Sequence, residues 1–128
     1  MTAFATLSIT DARVETAPDG STARVLLRLP TGSMAQFELA PGQISRAVVH
    51  RSIDEIWTVV AGSGALWRRQ GARQETVALA PGVCLTIPAG TAFQFRCLGD
   101  EALRVIGVSL PPWPGEDEAQ PAAGPWAA

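Results

Sequence analysis

The sequence predicts an all-β protein that folds as one small antiparallel β-barrel. Turn signals recur about every ten residues, and the segments between them are short and rich in Val, Ile, Leu, Phe and Trp, which is typical of sandwiches and barrels. No long window shows the periodicity of an amphipathic helix. Many short strands leave edges exposed unless the sheet closes, so a barrel or a double-sheet roll is expected.

Strands are predicted between the Pro, Gly and Asp residues that mark turns, because those residues supply the dihedral angles that turns need. In chain order the strands lie near Ala5 to Ile9, Arg24 to Leu29, Ala35 to Leu39, Ile44 to His50, Glu55 to Ala61, Ala65 to Arg68, Thr76 to Leu79, Val83 to Ile87, Ala92 to Cys97 and Leu103 to Leu110.

The length of 128 residues suits one domain with one core. We place that domain at residues 1–112. After it the composition changes to Pro, Ala, Gly and acidic residues, so residues 113–128 are expected to form a flexible tail. Whether Trp113 packs on the barrel stays open, and Trp126 is expected to be mobile.

Composition excludes several classes of function. A net charge of −2 is too small for capture of a polyanion, so no nucleic acid partner is expected. No apolar segment approaches the roughly 20 residues of a membrane span, and the first residues lack a secretory signal pattern, so we expect a cytoplasmic protein without a membrane partner. Cys84 and Cys97 are expected to be reduced thiols.

The only histidine, His50, stands five residues before Glu55. On one straight strand two residues at this odd spacing would face opposite sides of the sheet. They can share the barrel interior only if residues 51–54 form a turn, after which Glu55 and Trp57 point inward. Gly42 precedes His50 by eight residues, and Gly62 follows Glu55 by seven.

A second block, Gly82-Val-Cys-Leu-Thr-Ile-Pro-Ala-Gly90, has the form of a strand followed by a Pro-x-Gly turn. Together the two blocks, over roughly residues 40–110, resemble the cupin superfamily, and the C-terminal sequence is similar to small cupins described as mannose-6-phosphate-isomerase-like. The resemblance implies a double-stranded β-helix, or jelly-roll barrel, in which His50 takes the second histidine position of the first motif.

The metal-binding pattern of that superfamily is degenerate here. The resemblance implies three histidines and one glutamate as metal ligands, but Val48 and Phe93 stand at two of the histidine positions. Cys97 replaces the asparagine that ends the second motif. Zinc normally needs three protein ligands, so we predict no metal, although a site formed by His50, Glu55 and Cys97 is an alternative.

The candidate ligand pocket is therefore an apolar cavity with one polar corner, which is the usual design of small-molecule sites. Its predicted residues are Val48, His50, Glu55, Trp57, Phe93, Phe95 and Cys97. A sugar or a carboxylate is the expected ligand. Catalytic residues remain unidentified, since no activated nucleophile is evident, although His50 beside an ionised Glu55 could transfer a proton.

Three alternatives stay open. His50 and Glu55 form a hydrogen-bonded pair without function, or the protein is a metal-dependent isomerase or oxygenase with a non-standard ligand set, or it is a structural or interaction module with a filled interior. The resemblance also implies a homodimer formed through edge strands, which agrees with the need to cover an exposed N-terminal edge.

Overall fold

A computed structural model describes all 128 residues. The strands are β1 (Arg13–Thr16), β2 (Thr22–Leu29), β3 (Gly32–Leu39), β4 (Val48–His50), β5 (Asp54–Ala61), β6 (Gly64–Gln70), β7 (Arg73–Leu79), β8 (Cys84–Ile87), β9 (Ala92–Cys97), β10 (Leu103–Leu110) and β11 (Ala119–Pro121). Helix is limited to two short 3₁₀ turns, Ile9–Asp11 and Glu116–Glu118. None of it is long or apolar enough to traverse a lipid bilayer.

The strands form two antiparallel sheets, as the sequence predicts. One sheet has the order β1-β2-β3-β10-β5-β8, and the other has the order β11-β4-β9-β6-β7. Strands that follow one another in sequence often lie in different sheets, so the chain winds as a double-stranded β-helix. The predicted bounds of β9 and β10 match the structure, and most other predicted strands differ by a few residues.

The core lies between the two sheets. It is built from every second side chain along each strand, since successive side chains point to opposite faces of the sheet. Trp57, Phe93 and Phe95 are almost completely buried. Trp57 makes edge contacts with both phenylalanines, at centroid distances of 5.8 Å and 5.0 Å. Aromatic side chains from β5 and β9 therefore join the two sheets at the centre of the barrel.

The N-terminal prediction is wrong. Residues 5–9 form no strand, and the first strand is Arg13–Thr16, which the sequence analysis did not identify. This segment contains a single large apolar residue, Val14, which is 54% exposed. Because none of its residues is buried, β1 carries little of the hydrophobic alternation from which half-buried strands are recognised.

The C-terminal segment also differs from the expected flexible tail. Ala119–Pro121 forms β11, which pairs with β4 at the edge of the smaller sheet. Trp126 lies over the guanidinium of Arg96 at 5.3 Å, and its backbone N–H donates to the side-chain oxygen of Gln94. Composition did not predict an ordered C-terminal segment, because the contacts that order it are made by backbone groups and two tryptophans and not by a continuous apolar sequence.

Two glycines of the turn after β5 are required by close packing. A side chain at Gly64 would place its Cβ 2.0 Å from the carbonyl oxygen of Arg96 on the paired strand. Gly62 has a positive φ of 80°, and its Cβ would lie 2.4 Å from the Ala102 carbonyl oxygen. The backbones of neighbouring strands approach one another here because no Cβ separates them.

We therefore predict that Gly64→Ala lowers the free energy of unfolding by about 3 kcal/mol or more, since the backbone must move to relieve the clash. Gly71→Ala is the control, because Gly71 has a positive φ of 56°, unlike Gly64, but no atom lies within 4 Å of the added Cβ. It should cost only about 1 kcal/mol. Urea denaturation measures both, and equal losses would contradict the packing at Gly64.

Candidate functional site

A cavity of about 180 Å³ lies between the two sheets. Five of the predicted site residues line it: Val48, His50, Glu55, Trp57 and Phe93. Val48 and Phe93 belong to the buried core cluster, and they face each other across the paired strands β4 and β9. The two positions at which the resemblance implies histidine therefore carry apolar side chains on the cavity wall.

His50 ends β4 and is 5% exposed. Its ring makes edge contacts with Phe93 and Trp113 at centroid distances of 5.1 Å and 5.4 Å. The Nδ1 atom is buried and has no hydrogen-bond partner. Buried polar atoms without a partner are rare in native structures, so this nitrogen marks the place where a ligand atom or a water is expected to bind.

Glu55 begins the inward face of β5 and is 2% exposed. Its carboxylate accepts a hydrogen bond from Trp57 Nε1 at 2.8 Å and one from Ser109 Oγ at 3.1 Å. Burial raises the pKa of Glu55 from 4.5 to about 7, although both hydrogen bonds oppose the shift. Near neutral pH this carboxyl group is therefore present in both protonated and ionised forms.

His50 and Glu55 do not form a hydrogen bond with each other. His50 Nδ1 and Glu55 Oε2 are 3.9 Å apart, which is too long for a hydrogen bond. Burial also lowers the pKa of His50 to about 4, against the influence of the Glu118 carboxylate. His50 is therefore a neutral imidazole near neutral pH, and its Nδ1 is not occupied by the Glu55 carboxylate.

The turn between His50 and Glu55 brings both side chains into the interior, as the spacing predicts. Glu118 of the C-terminal segment holds this turn, since its carboxylate accepts hydrogen bonds from the backbone N–H groups of Ser52 and Ile53 and from the Ser52 hydroxyl. β11 adds backbone pairing to β4 directly beside it. The C-terminal segment therefore contributes to the position of both polar groups of the cavity.

Gly107 makes room for the indole of Trp57. It lies opposite Trp57 in the register of β10 and β5, and a Cβ at Gly107 would lie 3.1 Å from two atoms of the indole ring. A larger residue would push the ring away from Glu55. The glycine thus preserves the hydrogen bond that orients the buried carboxyl group.

The cavity residues that sequence reasoning missed include Asp19, Phe37 and Trp113. Asp19 is 7% exposed and accepts hydrogen bonds from the N–H and hydroxyl of Ser21. Burial raises its pKa. An Asp in a Pro-Asp-Gly sequence normally indicates an exposed turn, so no local signal could have identified it.

Phe95 and Cys97 lie in the core, and neither is among the residues that line the cavity. The thiol of Cys97 donates to the carbonyl oxygen of Glu101 at 3.2 Å. Both residues share the inward parity of β9 with Phe93, but the strand runs away from the cavity after Phe93. Parity identifies the face of a sheet, and it does not locate a residue along the strand.

The donor set does not fit the metal that the resemblance implies. His50 and Glu55 supply two ligands, Val48 and Phe93 supply none, and Cys97 does not join them. The chain contains no group of three or more His, Cys, Asp or Glu side chains that could hold a metal ion. Since zinc sites normally use at least three protein ligands, these two donors are too few to hold the ion.

The raised pKa of Glu55 predicts a specific pH dependence of stability. A buried carboxyl whose pKa is raised binds a proton more tightly when folded, so its contribution is favourable below pH 4.5 and is lost as pH rises through about 7. Glu55→Gln cannot ionise. We expect the free energy of unfolding of this variant, relative to that of the wild type, to rise by up to roughly 3 kcal/mol as the pH is raised from acidic to mildly alkaline values.

Denaturant unfolding of both proteins at a series of pH values measures this difference. Glu101→Gln is the control for the substitution itself, because it replaces an exposed carboxylate outside the cavity lining. A pH-independent difference for Glu55→Gln would show that folding does not change the pKa of Glu55, which contradicts its burial without a cationic partner.

The sequence profile of the Cupin domain matches residues 35–109. No match was found among curated proteins. Among solved structures, an uncharacterized conserved protein with a double-stranded beta-helix domain from Klebsiella pneumoniae is 19% identical, with a TM-score of 0.70 over 95% of this chain and 100% of that one.

Two longer proteins share the same fold. Oxalate decarboxylase from Bacillus subtilis is 17% identical, with a TM-score of 0.76 over 90% of this chain and 31% of that one. The capsular polysaccharide assembling protein CapF from Staphylococcus aureus is 17% identical, with a TM-score of 0.74 over 89% and 33%. This chain spans about a third of each, and at this identity the likeness shows the fold alone. By the profile match over most of its strands, the chain belongs to the cupin domain family.

Proposed function

We propose that the protein binds a small organic molecule in its barrel interior, without a resident metal centre. The observation that carries this proposal is the cavity beside His50, whose walls are mostly apolar and whose buried Nδ1 has no partner. Apolar walls with a few convergent polar groups are the usual design of ligand sites. A structural module with a filled core would have no need to leave this space open.

The size of the cavity supports a small ligand. Its volume of about 180 Å³ is below the roughly 300–1,000 Å³ of sites that enclose drug-sized molecules. It is much larger than the roughly 10–15 Å³ that one water needs. A ligand of a few carbon atoms with one or two polar groups therefore fits both the volume and the single polar corner.

The neighbours are compatible with small-molecule binding in this fold. Oxalate decarboxylase acts, by its name, on a small dicarboxylate, and one structure of CapF contains the inhibitor 3-isopropenyl-tropolone. For this chain the sequence predicts a sugar or a carboxylate. In either case the aromatic walls exclude water, while His50 and Glu55 would orient the polar end of the ligand.

The binding proposal is tested by calorimetric titration with a panel of small sugars, carboxylates and amines. We expect at least one class to bind, and we expect Ala35→Phe to abolish binding. Ala35 lines the cavity, so the added ring occupies the space that the ligand needs. Ala78→Phe is the matched control, because it places the same ring at an exposed position of β7 and should leave affinity unchanged.

If Ala35→Phe bound the same ligands as the wild type, the binding site would lie outside the cavity and the proposal would be wrong. The proposal would also be contradicted if no compound of the panel bound at concentrations up to about 10 mM, at which even very weak binding is detected. Circular dichroism of both variants confirms that a loss of binding does not come from a loss of fold.

We also propose that the protein forms a homodimer through its N-terminal edge. Strand β1 pairs only with β2 and therefore presents a free edge. Preceding it, Phe4 is fully exposed, and Leu7 and Ile9 are more than a third exposed. Apolar side chains beside an unpaired strand edge are the features that a second copy can cover.

Light scattering at micromolar concentration is expected to give the mass of a dimer. Deletion of residues 1–12 should shift the protein towards a monomer, because it removes the exposed apolar side chains that precede β1. A monomeric full-length protein would contradict the proposal, and so would a truncated protein that dimerises as well as the full chain.

A further inference from the structure

We infer that the cavity is suited to a small organic cation, an amine or a quaternary ammonium, rather than to a carboxylate. This inference rests on the proposed function and narrows its ligand class, and it departs from the sugar or carboxylate that the sequence predicts. Two features of the walls carry it, namely the sign of the buried charges and the aromatic lining.

The ionisable groups inside the cavity can become negative, and none of them is cationic near neutral pH. Asp19 and Glu55 are both buried, and the charge of Asp19 contributes to the raised pKa of Glu55. His50 is neutral because burial lowers its pKa. A bound carboxylate would add a further negative charge beside these groups, whereas a cation would favour their ionised forms.

The cationic residues of the lining lie at the exposed rim. Arg13 has a side chain that is 72% exposed and an ion pair with Glu15 at 3.4 Å. Arg28 is exposed and donates to the backbone oxygen of Trp113 at 3.1 Å. Arg46, which lies outside the lining, donates to the carbonyl oxygen of Pro18, and its charge opposes the rise in the pKa of Asp19. None of the three is buried beside His50 and Glu55.

Aromatic rings form a connected series around the same space. Phe37 stacks on Trp57 at a centroid distance of 5.6 Å, and Trp57 contacts Phe93 at 5.8 Å. His50 connects Phe93 to Trp113, which crosses from the C-terminal segment. All of these rings line the cavity. The negative face of an aromatic ring attracts a cation, and it does so more strongly when water is excluded.

The unpartnered nitrogen of His50 supplies the remaining interaction. A neutral imidazole has one nitrogen that can accept a hydrogen bond, and Nδ1 lies 3.9 Å from the Glu55 carboxylate. A ligand hydroxyl or ammonium N–H that lies to one side of these two atoms, on the cavity side, could donate to either of them. The cavity thus combines a cation-binding wall with acceptors for one polar substituent.

Three probes of nearly equal shape test the inference: choline, its neutral isostere 3,3-dimethyl-1-butanol, and the anion 3,3-dimethylbutanoate. We expect choline to bind at least about tenfold more tightly than the carboxylate, with the alcohol between them. Calorimetric titration of the full chain measures each affinity. Equal binding of the three, or tighter binding of the carboxylate, would overturn the inference while leaving the proposed function intact.

The pH dependence gives an independent readout. Since ionised Glu55 binds the cation, the affinity for choline should rise about tenfold from pH 6 to pH 8, following the ionised fraction of a group with a pKa of about 7. Ionisation of Asp19 acts in the same direction, and Ser109 and Trp57 do not titrate in this range. Glu118, which faces His50, is expected to stay ionised. A carboxylate ligand would show the opposite trend.

Glu55→Gln should lose most of the affinity for choline and most of this pH dependence, whereas Glu101→Gln, at an exposed position outside the cavity lining, should change neither by more than about twofold. If Glu55→Gln does not fold, Asp19→Asn replaces it, and we expect a several-fold loss. Retention of full choline affinity by the folded variant would overturn the inference. Absence of binding by all three probes also overturns it, and the broader panel then decides whether the proposed function falls as well.

Discussion

The cavity of this barrel depends on one constraint. Two ionisable groups, His50 and Glu55, are buried there, and neither has a charged partner in contact. Taking either charge out of water is costly, so the fold keeps the imidazole neutral and raises the pKa of the carboxyl group. Trp57 and Ser109 supply the two hydrogen bonds that Glu55 retains. The polarity of the cavity and the orientation of its polar atoms follow from this arrangement.

Substitution of two metal-ligand positions changes the chemistry that the cupin barrel can support. With Val48 and Phe93 on the wall, the interior gains apolar surface and loses the donors that would hold an ion. What remains is one acceptor nitrogen, two carboxyl groups and a series of aromatic rings. Under the proposed function, such a surface selects a ligand by its charge and shape.

The sequence predicted the strands whose inward residues alternate clearly, and it predicted the inward placement of His50 and Glu55 from the parity of their spacing. It failed where order depends on contacts between distant segments. Glu118 holds the turn after His50, and Trp113 packs on the His50 ring, but both lie in a segment of disordered composition. Asp19 was missed for the same reason, because only the tertiary structure buries its turn.

A single-histidine chain allows the central claim to be tested without resonance assignment. The ¹⁵N chemical shifts of the imidazole, followed by NMR as pH is lowered, report the protonation of His50 alone. Burial of His50 in a site without a bound metal, as proposed, predicts a neutral ring that titrates with a pKa of about 4. Titration near the ordinary value of 6.5, or a ring nitrogen shifted by a coordinated metal at all pH values, would contradict the account.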